Sequence, residues 1–479
     1  MNYSVAFRII GFLVGIETFF MVPSLLIGFF NQEASLNSFI ITIGIMLVFS
    51  VFTSFITEKS RRLTPKDGLL IVSLGWIFAA LFGALPLYLS KSVPTYIDAF
   101  FEIVSGFTTT GASVIDDISK IPKSIVLWRS VTHWIGGMGI LVFTLSLLPK
   151  LGVGGFQIFK AETPGPVAGK IEPKMSETAK RLYIIYMGIT IILITLLKIG
   201  GMTLFDSVVH TFGVVGTGGF SSYSDSLMSV DGAYIPIVMS VFMVLCGTNF
   251  TMYYYLLKGK IKNIFTDEEF IHYYFIIIGA IILIGLDLFF SGYGSFGKSF
   301  LDSAFQVTSI SSTSGFASAD YDLWPVFSKY ILYILFFIGS CAGSTAGGMK
   351  VIRIVVIWKL IKREIIKVIH PNAVVPIEIN GRNLSDEVVF GIAAFAGVYI
   401  IVLVLGSALV SLSGLDYVSA TSSVMTMLSN VGPGFGRVGP TQNFLFFNGG
   451  YKLMFSFFML LGRLEFFTLL ALVAPGRKS

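Results

Sequence analysis

Cysteine is nearly missing: Cys246 and Cys341 are the two in 479 residues, both inside apolar runs. That excludes a disulfide framework and leaves buried packing as their role. Charge is scarce as well. Only 13% of residues are Asp, Glu, Lys or Arg, too little polar surface to coat a water-soluble globule of this length. His133, His210, His272 and His370 show no metal-ligand spacing. No paired carboxylates or nucleophile motif appears in the apolar runs, which argues against a membrane enzyme. Gly343 to Lys350 lacks the Gly-Lys-Ser/Thr ending of a phosphate loop, since Met349 separates Gly348 from Lys350. The net charge of +6 does not indicate nucleic acid, because the basic residues sit between apolar runs, as membrane orientation requires. Asn249-Phe-Thr and Asn383-Leu-Ser match a glycosylation pattern, but one lies in an apolar run and the other in an expected inner loop.

What is present is hydrophobicity: 54% of residues are apolar and the mean hydropathy is +0.83. The runs predict ten spans, near residues 8–30, 37–57, 68–90, 125–149, 182–200, 233–257, 270–290, 329–349, 387–411 and 451–473. The first is too long for a signal sequence and is expected to be retained. With the N-terminus inside, five basic segments fall in the cytoplasm: Lys59 to Lys66, Lys150 to Arg181, Lys258 to Lys262, Lys350 to Arg382, and the C-terminal Arg477 and Lys478. Both termini are therefore expected to be cytoplasmic. The opposite segments, 31–36 and Gly201 to Tyr234, contain no Lys or Arg. Several outer segments are apolar and rich in Gly, Ser and Thr, which predicts chain dipping back into the membrane around a cavity.

Those re-entrant segments repeat. Asp98, Asp206 and Asp302 each precede a glycine by thirteen positions, at Gly111, Gly219 and Gly315. A fourth copy starts at Asp416 and reaches Gly432 after sixteen, so it reads as degenerate. Two crossings per repeat give every copy the same orientation, related by rotation about the membrane normal. Inverted-repeat transporters need odd crossings and midplane breaks. The fold class expected is all-α integral membrane, with four M1-P-M2 repeats (helix, pore helix and filter loop, helix) in pseudo-fourfold arrangement. Two extra N-terminal helices occupy residues 1–66, and the repeats occupy 67–150, 151–262, 263–368 and 369–479.

A short helix from about Asp98 to Phe107, entered from outside, directs its negative dipole end inward, where a cation is favoured. Thr108 to Ala112 then turn carbonyls toward an axis if some residues take positive φ, which glycine does without a Cβ penalty. Neutral carbonyls suit a dehydrated monovalent cation better than a divalent one. Asp116, Asp117, Asp225, Asp231, Asp320 and Asp322 lie just outside and could concentrate cations there, though ordinary solvation explains them equally.

At these residues, with Trp134-Ile-Gly-Gly-Met-Gly-Ile and Asn430-Val-Gly-Pro-Gly-Phe-Gly, the sequence resembles the Trk/Ktr/HKT superfamily of potassium transporters over essentially its whole length. The resemblance implies a potassium filter at Thr109, Thr110, Gly111, Thr217, Gly218, Gly219, Thr313, Ser314, Gly315, Asn430, Val431 and Gly432. The unlike loops lead to an expectation of weaker discrimination against sodium and rubidium than a fourfold-symmetric filter shows. Gly339 to Lys350 is too glycine-rich for a continuous helix and is expected to unwind. The resemblance makes Gly343, Ser344, Thr345, Ala346, Gly347 and Gly348 an intramembrane gate approached by Arg463, whose alternative is snorkelling or pairing with Glu465. It further implies the transported K+ ion with no organic cofactor, a homodimer in the bacterial cytoplasmic membrane, and a cytosolic nucleotide-binding ring of the TrkA type. The basic loops from Lys150 to Arg181 and from Lys350 to Arg382 are the expected docking surfaces. A coupled transporter, moving K+ with H+ or Na+, would need a buried titratable group such as Glu102, Asp287 or Glu465.

Overall fold

The computed structural model describes residues 3–56, 64–139 and 175–473. Lys59, Arg61, Arg62, the chain from Lys150 to Lys174 and the C-terminal Arg477 and Lys478 lie outside the described residues. Among the described residues, the regular structure is helical apart from a two-stranded hairpin, Glu378–Ile379 with Arg382–Asn383.

Among the described residues, six helices are long and apolar enough to cross a membrane: Tyr3–Phe30, Leu36–Ser54, Lys66–Leu89, Glu177–Ile199, Glu268–Phe290 and Asp386–Ser411. Their outer faces present Ile191, Phe275, Ile278, Ile400 and Ile401 to the surroundings, an apolar exterior of the kind lipid covers favourably. After each of the last four comes a short, largely buried helix: Tyr96–Phe107, Leu204–Gly216, Phe296–Ser311 and Tyr417–Ser429. Their starts are set by side-chain caps. Thr95, Thr203, Ser295 and Asp416 each accept a backbone N–H three residues on, satisfying a donor that the helix cannot satisfy itself.

A further helix follows each short one: Lys123–Met138, Tyr234–Gly247, Val326–Ile338 and Gly449–Arg463. These correspond to four of the ten expected spans, and none is continuous over the expected length. The first ends at Gly139 with φ 75°. The second meets Phe250–Leu257 at a 93° bend. The third ends at Gly339 with φ 71°, and the fourth breaks before Glu465, whose φ is 59°. Hydropathy could not show these breaks, because apolar chain continues on both sides.

The packing is cyclic. Each short helix lies against the two helices of its own set and against the following helix of the set before it. The second touches Lys123–Met138, the third Tyr234–Gly247, the fourth Val326–Ile338, and the first closes the circuit on Gly449–Arg463. A buried ion pair marks that closure: Lys452 reaches Asp98 at 2.5 Å while donating to the Leu445 carbonyl at 3.0 Å.

Candidate functional site

All four short helices end in one hydrogen-bonding pattern. Thr109, Thr217, Thr313 and Asn430 take left-handed φ of 54°, 57°, 57° and 55°. Each donates its N–H to the carbonyl three residues back, and the next residue donates to the carbonyl five back, as in Thr110 to Ser105 at 2.9 Å and Ser314 to Ser309 at 2.8 Å. This is the Schellman termination, ordinarily built on glycine or asparagine. Three of the four sites use threonine, whose branched Cβ makes the conformation costly.

Two residues later Gly111, Gly219, Gly315 and Gly432 have φ of 81°, 80°, 74° and 100°. They are crowded as well as left-handed. A Cβ on Gly111 would lie 2.0 Å from the Gly218 carbonyl oxygen, on Gly219 2.0 Å from that of Ser314, and on Gly315 2.0 Å from that of Val431. On Gly432 it would lie 2.5 Å from that of Thr110. Each loop thus touches the next, and the fourth returns to the first. The twelve residues singled out in these loops converge, and the glycines face neighbouring loops rather than the exterior.

The fourth copy is not the degenerate one. Its left-handed residue lies fourteen positions after its cap (Asp416 to Asn430), as in the first (Thr95 to Thr109) and second (Thr203 to Thr217). The third copy is longer, at eighteen (Ser295 to Thr313). The aspartate misleads because it is the cap itself in the fourth helix and the third residue of the first two.

Outside the loops, polar bridges tie neighbouring copies. Asn443 donates to Asp116 at 3.1 Å, Ser224 to Asp117 at 3.2 Å, and the Gly436 N–H to Asp322 at 2.9 Å. Ser226 accepts from the Ala317 N–H at 3.0 Å. Beneath the ring, Gly339 to Lys350 contains no helix, as expected from its glycines. Gly347 donates to the Thr313 hydroxyl at 2.8 Å, and Phe250 donates to the Gly343 carbonyl at 3.0 Å. Arg463 projects into the same place. Its guanidinium donates to the Thr345 carbonyl at 2.7 Å, to the Thr109 hydroxyl at 3.2 Å and to the carbonyls of Gly136 and Gly137. Those two glycines belong to the Trp134 motif, whose lack of side chains lets the helix meet Phe107 and Gly216 backbone to backbone.

Glu465 accepts from Arg353 at 2.5 Å. Glu102 is buried against Arg129 at 2.5 Å and also accepts from the Val114 N–H at 2.9 Å. Arg129 in turn lies 4.0 Å over the Phe220 ring, joining the first loop to the second. Asp287 accepts from the Ser328 hydroxyl at 2.6 Å. His133 packs at 4.0 Å on Phe220 with Nδ1 2.7 Å from the Gly106 carbonyl, and His210 bridges the Asp206 carbonyl and Ser221. Cys246 and Cys341 are buried and free. Among the described residues no group of His, Cys, Asp or Glu could hold a metal ion. Sequence reasoning missed the left-handed threonines, the Asp98–Lys452 pair and Glu269, which accepts from backbone at both ends of the Gly-rich segment.

Comparison with known proteins bears on this arrangement. The TrkH family model, described as a cation transport protein, matches residues 35–284 and 287–478. The Trk system potassium uptake protein TrkH of Escherichia coli K12 is 35% identical over 480 residues, covering 99% of each chain. TrkH of Vibrio parahaemolyticus is 36% identical over 482 residues at the same coverage, and TrkG of Escherichia coli K12 is 33% identical over 466. The crystal structure of the potassium transporter TrkH from Vibrio parahaemolyticus superposes with a TM-score of 0.89 at 34% identity, covering 99% of both chains. These are transport proteins and not enzymes, and the chain belongs to the TrkH family of cation transport proteins.

Proposed function

We propose that this chain takes up potassium across the bacterial cytoplasmic membrane through the four converging loops, arranged as pseudo-fourfold M1-P-M2 repeats. The observation that carries the reading is the closed circuit of loops, each glycine seated on the next loop's carbonyl, with the Gly-rich segment bonded directly beneath. Carbonyls of Thr110, Gly218, Ser314 and Val431 then replace the water that a monovalent ion sheds, and no fixed charge is required. The four inward dipole ends of the short helices add to the cation's stabilisation.

Gly343 to Gly348, held by Thr313 and Arg463, is the barrier in its closed position. The reading includes a homodimer and a cytosolic nucleotide-binding ring that moves the barrier, with both chain termini on the cytoplasmic side. Proton or sodium coupling has no specific support: Glu102, Asp287 and Glu465 each already hold a partner.

Rubidium and potassium flux in proteoliposomes tests this. Gly315→Ser should lose discrimination among monovalent cations, because its Cβ collides with the Val431 carbonyl. Deleting Gly343 to Gly348 should produce leak. Wild-type behaviour in both would overturn the reading.

A further inference from the structure

The helix Val351–Ile369 begins immediately after the Gly-rich segment, and its cap residue provides no side-chain cap, although the Ser340 carbonyl takes the Val351 N–H at 3.0 Å. Lys350 stands at the cap position with φ 78° and supplies no side-chain acceptor. Uncapped N–H groups at a buried helix start cost free energy and attract a negative charge. Glu269, 6% exposed on the neighbouring helix Glu268–Phe290, provides one. Its Oε1 accepts the Ile352 N–H at 3.1 Å and also the Ala342 N–H at 2.7 Å. Ala342 precedes the barrier and Ile352 follows it, so one carboxylate oxygen holds both ends of the segment.

The start of the Glu269 helix is itself clamped from the surface. Asn380, at the turn of the Glu378–Asn383 hairpin with φ 51°, donates from its amide to Asp267 at 2.7 Å and from its N–H to Glu268 at 2.9 Å. It also accepts the Glu268 N–H at 2.8 Å. Lys359, on the helix that leaves the barrier, bonds both Glu268 and the Glu378 carbonyl. Hairpin, helix start and barrier ends are therefore joined through consecutive residues 267, 268 and 269.

We propose that Glu269 is a positioning residue that keeps the barrier closed by pinning its two ends, and that the Asn380 hairpin is the surface handle that moves this pin. The proposal rests on the gate reading above. A displacement of the hairpin drags the start of the Glu269 helix, which withdraws the shared acceptor from Ala342 and Ile352 together. Losing an acceptor from two buried donors penalises the closed form specifically.

The test is rubidium and sodium flux through the full-length protein in proteoliposomes, with thermal melting as the folding control. Glu269→Ala should raise rubidium flux at least about tenfold with the rubidium-to-sodium ratio unchanged. Glu269→Gln, which keeps an acceptor oxygen, should recover part of the closed behaviour. Asn380→Ala, in an exposed turn, should raise flux in the same direction by less. The deletion of Gly343 to Gly348 serves as reference. If it leaks while Glu269→Ala stays at wild-type flux or falls below it, the assignment of Glu269 is overturned and the gate reading stands. If the deletion is silent too, the gate reading fails. Should Glu269→Ala not fold, unchanged flux in Asn380→Ala overturns the proposal.

Discussion

Arg463 donates to the carbonyl oxygen of Thr345 at 2.7 Å, fixing a cation of the last buried helix on the backbone of the Gly-rich segment. The same side chain reaches Thr109, Gly136 and Gly137, so the Gly-rich segment, the first loop and the end of the first following helix share one donor. A planar guanidinium can serve four acceptors at once, which a lysine ammonium on a flexible stem cannot.

Removing that donor should therefore release the Gly-rich segment, the proposed barrier. Each charge-assisted bond contributes roughly 1.5–3 kcal/mol, so losing the closed-state share of them shifts the population by about tenfold or more. Arg463→Ala should show that increase in rubidium flux in proteoliposomes, and Arg463→Lys a smaller one.

The left-handed threonines store strain that one substitution should relieve. Thr217 bonds its hydroxyl only to the adjacent Gly216 carbonyl at 2.6 Å, whereas Thr109 and Thr313 hold Arg463 and Gly347. Asparagine occupies the matching place in the fourth loop at residue 430. Thr217→Asn should stabilise the protein by about 1 kcal/mol, read as a raised Tm in detergent. Thr313→Asn should not, because it removes the partner of Gly347.

The legible part of this site followed from what glycine alone can do. Gly111, Gly219, Gly315 and Gly432 recur at positions needing positive φ, and the glycine-dense stretch before Lys350 cannot remain helical. The left-handed conformation of Thr109, Thr217 and Thr313 was hidden because threonine is among the residues least expected in it. Counting from aspartate rather than from the helix cap misplaced the irregularity in the fourth copy instead of the third. The 93° bend after Gly247 was invisible because apolar residues continue through it. Glu269 reads locally as an acidic residue in the first turn of a span. Its partners, at 342 and 352, depend on tertiary packing that no local pattern encodes.

The Glu102–Arg129 pair should behave as a brace for the first two loops. Both side chains are buried, so Arg129→Met leaves an uncompensated carboxylate and should cost about 3–5 kcal/mol. The double variant Glu102→Gln with Arg129→Met should recover much of that loss. Melting of the four proteins in a double-mutant cycle measures the coupling.

Asp117, in the segment after the first loop, keeps its charge to low pH. The Ser119 hydroxyl foremost, then Lys120, holds its carboxyl down to about 2 from an ordinary 3.8. Because the folded value is depressed, this contribution to stability is complete above about 4 and is lost as pH falls toward about 2. Asp117→Asn should slow uptake less than about twofold at low ionic strength, an effect that salt removes. The ratio to wild type should stay flat from about pH 5 to 8. A slope within that range would contradict the assignment.

The central claim is settled most directly by anomalous scattering from rubidium in crystals of the protein. The account predicts a peak on the axis between the four loops, in inner-sphere contact with carbonyl oxygens of Thr110, Gly218, Ser314 and Val431. Rubidium bound elsewhere, with that axis empty at saturating concentration, would contradict it.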